Sequence, residues 1–185
     1  EYQSILEEEL KKRQEETNSS SATGIIMDPE TGEVLAMATT PGFDNNHFGS
    51  TRPEFHRIRS ITDQFEPGST FKVVSTVSAL YDGLISLNDE FNCENGSFEY
   101  HTKKVTDHES YSMLTASQII HHSSNIGIIK IMDQVGQKKL FSMSRDFGFG
   151  SKTGINLNGE VSGKLNHYND WSAVSLGMIA MGHEV

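Results

Sequence analysis

Ser69-Thr70-Phe71-Lys72, entered through Glu66-Pro67-Gly68 and continued by apolar residues at helical intervals, most constrains what this chain can fold into. Pro67 and Gly68 resist helix continuation from upstream, while Phe71, Val73, Val74, Val77 and Leu80 recur with helical spacing. The pattern predicts a helix that opens at about Ser69 and runs to near Tyr81. Residues three apart share a helix face, so a hydroxyl and an amine stand together. A serine hydroxyl is a poor nucleophile at neutral pH unless a base lies within hydrogen-bond reach, and Lys72 can be that base only as the neutral amine. Its ordinary pKa of about 10.4 has to be lowered, by burial or by a neighbouring cation. The plainer account of the tetrad is a helix-capping serine followed by a surface lysine, because serine is a favoured N-cap.

A second polar cluster, Ser123-Ser124-Asn125, sits where two helical patterns meet, Leu114 to His121 and Ile126 to Val135. Ser and Asn both favour helix starts, so a simple capping pair explains the trio in isolation. The stretch between Ser69 and Ser123 is long enough for the chain to return across a helical subdomain. A hydroxyl and a carboxamide could then face the first serine.

Other segments join these two. Met27-Asp28-Pro29-Glu30-Thr31-Gly32-Glu33-Val34-Leu35-Ala36-Met37 reads as a hairpin, and Phe65 to Lys72 as a nucleophile segment. Phe147-Gly148-Phe149-Gly150-Ser151-Lys152-Thr153-Gly154, followed by Gly159-Glu160, and then Ser175-Leu176-Gly177-Met178, complete the set. With them the chain resembles, over roughly residues 1 to 185, the transpeptidase domain of class B, high-molecular-mass penicillin-binding proteins. The resemblance implies an α+β fold shared with serine β-lactamases, a helical subdomain plus an antiparallel sheet. Residues 1–20 would be a lead-in helix and linker, and 21–185 the N-terminal part of the transpeptidase domain, with the helical subdomain over roughly 69–165. The activity implied is that of a peptidoglycan D,D-transpeptidase. Ser69 would attack the D-alanyl-D-alanine carbonyl of a stem peptide, Lys72 would take its proton, Ser123 would relay it, and Asn125 would bind the substrate's backbone amide. No cofactor and no metal are implied. Donor and acceptor stem peptides would be the partners, β-lactam antibiotics would acylate the same serine as mimics, and divisome or elongation-complex proteins are partners the resemblance allows. Family members are usually tethered by an N-terminal transmembrane helix with the catalytic domain outside the cytoplasmic membrane, which places this chain there, with membrane contact only through an anchor ahead of Glu1.

The family carries a third motif, Lys-Ser/Thr-Gly, and Lys152-Thr153-Gly154 spells it. In the family that motif lies on a strand bordering the cleft, where apolar or β-branched neighbours are expected. Here the neighbours are Gly148, Gly150, Gly154, Asn156, Asn158 and Gly159, which is loop composition. The expectation is therefore a loop, with the true third motif and half of the oxyanion hole lying beyond Val185. On that reading the chain is incomplete at its C-terminus and inactive alone.

Charge excludes some partners. A net charge of −10 argues against nucleic acid, whose phosphates require clustered Lys and Arg. Lys11-Lys12-Arg13 is flanked by Glu7, Glu8, Glu9, Glu15 and Glu16, and reads as a solvated helix face with a narrow packing stripe of Tyr2, Ile5, Leu6 and Leu10. Cys93 is alone and reads as inert. His121-His122 point about 100° apart if helical, which is wrong for shared metal ligation.

Thr23 to Asp28 and Glu33 to Thr39 predict paired strands around a Pro29 to Gly32 turn. Residues 40–61 predict a long loop. Residues 84–113 predict surface structure with a short β piece at Ser97 to His101, and Gln137 to Phe147 a helix closed by Gly148. Two alternatives stay open. One is a β-lactamase or penicillin-sensing domain of the same fold, although neither Glu160 nor Glu184 stands four residues before an asparagine, as a class A deacylating glutamate would. The other is a non-catalytic interaction module.

Overall fold

Residues 2–17 are dominated by strong helix formers, Glu, Lys, Leu and Gln, and in the computed structural model, which describes residues 1–185, they form α1 (Tyr2–Thr17). Asn18 ends it in the left-handed region at φ 51°, a conformation asparagine tolerates, and its N–H returns to the Glu15 carbonyl. Leu6 and Leu10 pack on the following hairpin, where a Cβ on Gly24 would lie 2.9 Å from a Leu6 methyl. Tyr2 and Ile5 stay 58% and 51% exposed, so only half of the expected apolar stripe packs.

Strands β1 (Ala22–Met27) and β2 (Val34–Thr40) pair antiparallel from Ala22↔Thr40 to Met27↔Val34. Their turn is fixed by Asp28, whose carboxylate accepts the N–H groups of Glu30 and Thr31 at 2.8 and 3.0 Å, and by Gly32 at φ 76°. On the open side of β2 the Gln3 amide acts as a substitute strand: it donates to the Met37 carbonyl at 2.9 Å and accepts the Met37 N–H at 3.0 Å. Residues 41–62 hold more structure than the expected loop, with 3₁₀ turns at Asn45–Ser50 and Pro53–His56 and a one-turn helix α2 (Arg59–Thr62). Asp44 caps the first turn through the Asn46 N–H, and Asp63 ties the last to Arg57 and Arg59. Residues 1–63 and 155–161 make one compact unit.

Residues 64–154 and 162–185 make the second unit, built around α5 (Asn125–Val135). Ile126, Ile128, Ile129, Ile131 and Met132 of this helix are fully buried, each contributing about 1.5–3 kcal/mol of apolar transfer. Around it lie α3 (Lys72–Leu80), α4 (Ala116–His121), α6 (Gln137–Asp146) and α7 (Ser175–Ala180). Gly127 lets α5 approach α4 closely, because a Cβ there would stand 2.4 Å from an Ile119 side-chain carbon. Gly148 at φ 89° follows the end of α6, as the sequence predicts.

Two short antiparallel pairs cover the edge of this unit: β3 (Glu90–Asn92) with β6 (Met113–Thr115), and β4 (Ser97–Tyr100) with β5 (Lys103–Thr106). The expected helix from Leu114 is therefore shortened. Leu114 is buried in β6 opposite Phe91, and α4 starts only after Thr115, which forms a capping box: its hydroxyl accepts the Gln118 N–H and its own N–H donates to the Gln118 side chain. No strand follows Thr115, and the whole is an α+β architecture. No helix is long and apolar enough to cross a membrane.

Candidate active site

The turn that carries Ser69 is narrower than a plain helix start. Gly68 to Phe71 form a 3₁₀ turn entered from Gly68 at φ 60°, and α3 begins only at Lys72. The Thr70 hydroxyl donates to the Pro67 carbonyl at 2.8 Å, and Phe71 is buried edge-on against Phe149 with centroids 4.8 Å apart. Phe71 anchors the turn from inside while Ser69 faces outward and is exposed.

Lys72 goes the other way. It is 3% exposed, and its ammonium meets three acceptors: the Ser123 carbonyl at 2.6 Å, the Ser123 hydroxyl at 3.0 Å and Asn125 Oδ1 at 2.7 Å. Burial lowers its pKa from 10.5 to about 8, partly opposed by the negative charge of Asp107. About a tenth of the amine is then neutral at pH 7. The Ser69 hydroxyl is not among its partners.

Ser123 reaches Lys72 with two atoms because its backbone is left-handed, φ 55°, a conformation that costs a non-glycine residue about 1 kcal/mol. Ser124 is the N-cap of α5, fully buried, accepting the Gly127 N–H at 2.8 Å. Asn125 opens α5 with its amide orientation fixed at both ends: Oδ1 on Lys72, and Nδ2 donating to the Thr106 carbonyl at 3.0 Å. The four residues singled out from the sequence thus fall in one neighbourhood, three of them, Lys72, Ser123 and Asn125, in direct contact.

Asp107 was not among them. Its carboxylate accepts the Ser124 hydroxyl at 2.6 Å and the N–H groups of Asn125 and Ile126 at 2.5 and 3.1 Å, so it completes the cap of α5 from the end of β5. Asp107→Asn is expected to destabilise the protein by about 2 kcal/mol in chemical denaturation, since an amide cannot accept all three bonds. It should also lower the Lys72 pKa further, because the charge that raises it is gone.

Lys152-Thr153-Gly154 lies outside any strand. Cys93 is fully buried, and burial pushes its thiol pKa up, so it is no nucleophile.

The family model for the penicillin binding protein transpeptidase domain matches residues 22–185. Among curated relatives, the peptidoglycan D,D-transpeptidase FtsI of Escherichia coli K12 is 32% identical over 98% of this chain and 30% of its own length. The probable peptidoglycan D,D-transpeptidase PenA of Neisseria gonorrhoeae is 30% identical over 98% of this chain and 31% of its own. The chain thus spans about a third of the length of these relatives. Among solved structures, penicillin-binding protein 3 from a Mycobacterium aligns with TM-score 0.88 at 26% identity, over 97% of this chain and 41% of that one. The transpeptidase domain of Burkholderia pseudomallei penicillin-binding protein 3 gives 0.82 at 26%, over 94% and 48%. Since both the sequence model and these folds extend through the neighbourhood of Lys72, Ser123 and Asn125, the chain belongs to the penicillin-binding protein transpeptidase family.

Proposed function

We propose that this chain carries the acylation machinery of a peptidoglycan D,D-transpeptidase acting on stem peptides that end in D-alanyl-D-alanine. The observation that carries the reading is the buried Lys72 amine, one helical turn from Ser69 and held by Ser123 and Asn125. The Ser123 carbonyl and Asn125 Oδ1 can only accept hydrogen bonds, so they hold two of the amine's hydrogens. The Ser123 hydroxyl can both accept and donate. Once Lys72 is neutral, its lone pair is free to take a proton from Ser69 Oγ as that oxygen attacks the carbonyl carbon. Ser123 is then placed to pass the proton on to the leaving D-alanine nitrogen, which departs as the amine. The acyl-serine ester is next attacked by the amine of an acceptor stem peptide, forming the cross-link and restoring Ser69. The Asn125 carboxamide is the group assigned to the donor's backbone amide.

Residues 1–20 serve in this reading as a lead-in to the transpeptidase region, with the helical subdomain over roughly 69–165. β-Lactams acylate Ser69 in place of the stem peptide. The site works on the outer side of the cytoplasmic membrane, where peptidoglycan lies, and division or elongation proteins are its assembly partners. The peptidoglycan and penicillin assignments are supported by the names of the relatives and by the family match.

Full-length protein given a D-alanyl-D-alanine-terminated pentapeptide and an acceptor amine is expected to release D-alanine and form the cross-linked product. Release of D-alanine into water alone, or none, would contradict the transpeptidase reading. The rate of acylation should rise with pH, about tenfold per unit up to about pH 8, and then level off, because only neutral Lys72 acts. A pH-independent rate from 6 to 9 would remove Lys72 as the base. In Asp107→Asn the same limb should move to lower pH.

A further inference from the structure

We propose that Glu66 is a positioning residue, clasping the turn at His183 and Glu184 and thereby holding the peptide that presents Ser69. The inference rests on the reading of Ser69 as the acylated serine. One carboxylate oxygen of Glu66 accepts the Glu184 N–H at 2.9 Å, and the other lies 2.9 Å from His183 Nδ1. Two residues further on, the Gly68 N–H donates to the Gly182 carbonyl at 3.0 Å. The segments 66–68 and 182–184 are therefore tied on both sides of Pro67, whose ring fixes its own φ and cannot absorb a swivel.

The approach is close enough that a Cβ on Gly182 would lie 2.0 Å from the Gly68 carbonyl oxygen. That oxygen belongs to the same peptide unit as the Ser69 N–H, a backbone donor of the kind that can stabilise a developing oxyanion. A tilt of this peptide moves the hydroxyl and the N–H together. The Glu66 carboxyl is held below its usual pKa range, first by the Glu184 N–H and then by His183, so it stays a carboxylate at neutral pH.

Both side chains of the Glu66–His183 pair are about half exposed, and exposed pairs contribute little to global stability. The clasp therefore separates from a merely structural role in what it changes. It acts on the geometry of attack, where small misplacements cost rate.

The test uses full-length protein and a labelled penicillin, with time courses over a range of concentrations to separate binding from the first-order acylation step. Glu66→Ala is expected to slow that step by about fivefold or more, with the penicillin dissociation constant nearly unchanged. Glu66→Gln, which keeps an acceptor for the Glu184 N–H, should recover most of the rate, and His183→Ala should fall between. An acylation step in Glu66→Ala equal to that of wild type overturns the proposal, as does a Glu66→Gln protein as slow as Glu66→Ala. Should Glu66→Ala fail to fold, the order wild type, Glu66→Gln, His183→Ala decides: a His183→Ala rate equal to wild type overturns it. Failure of the wild type to label at Ser69 sinks the reading of the site itself, which is a different result.

Discussion

Lys72→Ala in the full-length protein is expected to slow acylation by a labelled penicillin by a factor of about 10² to 10⁴, the usual worth of a positioned general base. The expectation follows from where the amine sits. Lys72 is 3% exposed and is the group that gathers Ser123 and Asn125 around one nitrogen. Its removal leaves two carbonyl-type oxygens and a hydroxyl without their donor, which costs about 1–3 kcal/mol, while the desolvation of a buried amine is relieved. These terms oppose one another, so thermal stability should change by no more than a few degrees. Lys72→Arg is expected to be comparably slow, since a guanidinium keeps the charge but holds its proton at any working pH. Unchanged acylation in either variant would show that another group takes the Ser69 proton.

Gly182→Ala is expected to have the largest effect on folding of any single methyl added to this chain, about 3 kcal/mol or more in chemical denaturation. Two causes act together. Gly182 lies at φ 84°, where a Cβ costs about 1–2 kcal/mol, and that Cβ would stand 2.0 Å from the backbone oxygen of Gly68. Backbone cannot turn aside as a side chain can. Relief requires parting the 182–184 turn from the turn that carries Ser69, at an overpacking cost of about 1–3 kcal/mol. Acylation at Ser69 should fall with it. A Gly182→Ala protein with wild-type stability and rate would mean that these two turns are not held together in solution.

The contrast between Gly182 and Gly127 shows why neighbours matter more than space. At Gly127 the nearest atoms belong to the Ile119 side chain, which a rotamer change can move part of the way, whereas at Gly182 they belong to main chain.

What could be read from the sequence follows the distance over which each feature is determined. The β1–β2 hairpin was legible because Asp28 to Gly32 carry their own turn chemistry. The close of α6 was legible because Gly148 is a local signal. The meeting of Lys72 with Ser123 and Asn125 was legible because each motif keeps a short spacing, so two local signals sufficed to mark both ends of the contact. The start of α4 was not, because β6 exists only through pairing with β3, 25 residues earlier in the register Glu90↔Thr115. Asp107 was missed for the same reason: it meets Ser124 17 residues on, and nothing in its own neighbourhood announces a cap. The Glu66 clasp spans 117 residues to His183 and has no local signature at all. The apolar stripe of α1 was over-read, since only Leu6 and Leu10 face Gly24 while Tyr2 and Ile5 remain in solvent.

The most direct test of the account is to locate the covalent bond. Full-length protein treated with penicillin, digested and mapped by mass spectrometry is predicted to carry one penicilloyl group, on the peptide containing Ser69, and Ser69→Ala to carry none. A penicilloyl group on any other residue, or an unmodified Ser69 at saturating penicillin, would contradict the assignment of Ser69 and Lys72 as nucleophile and base.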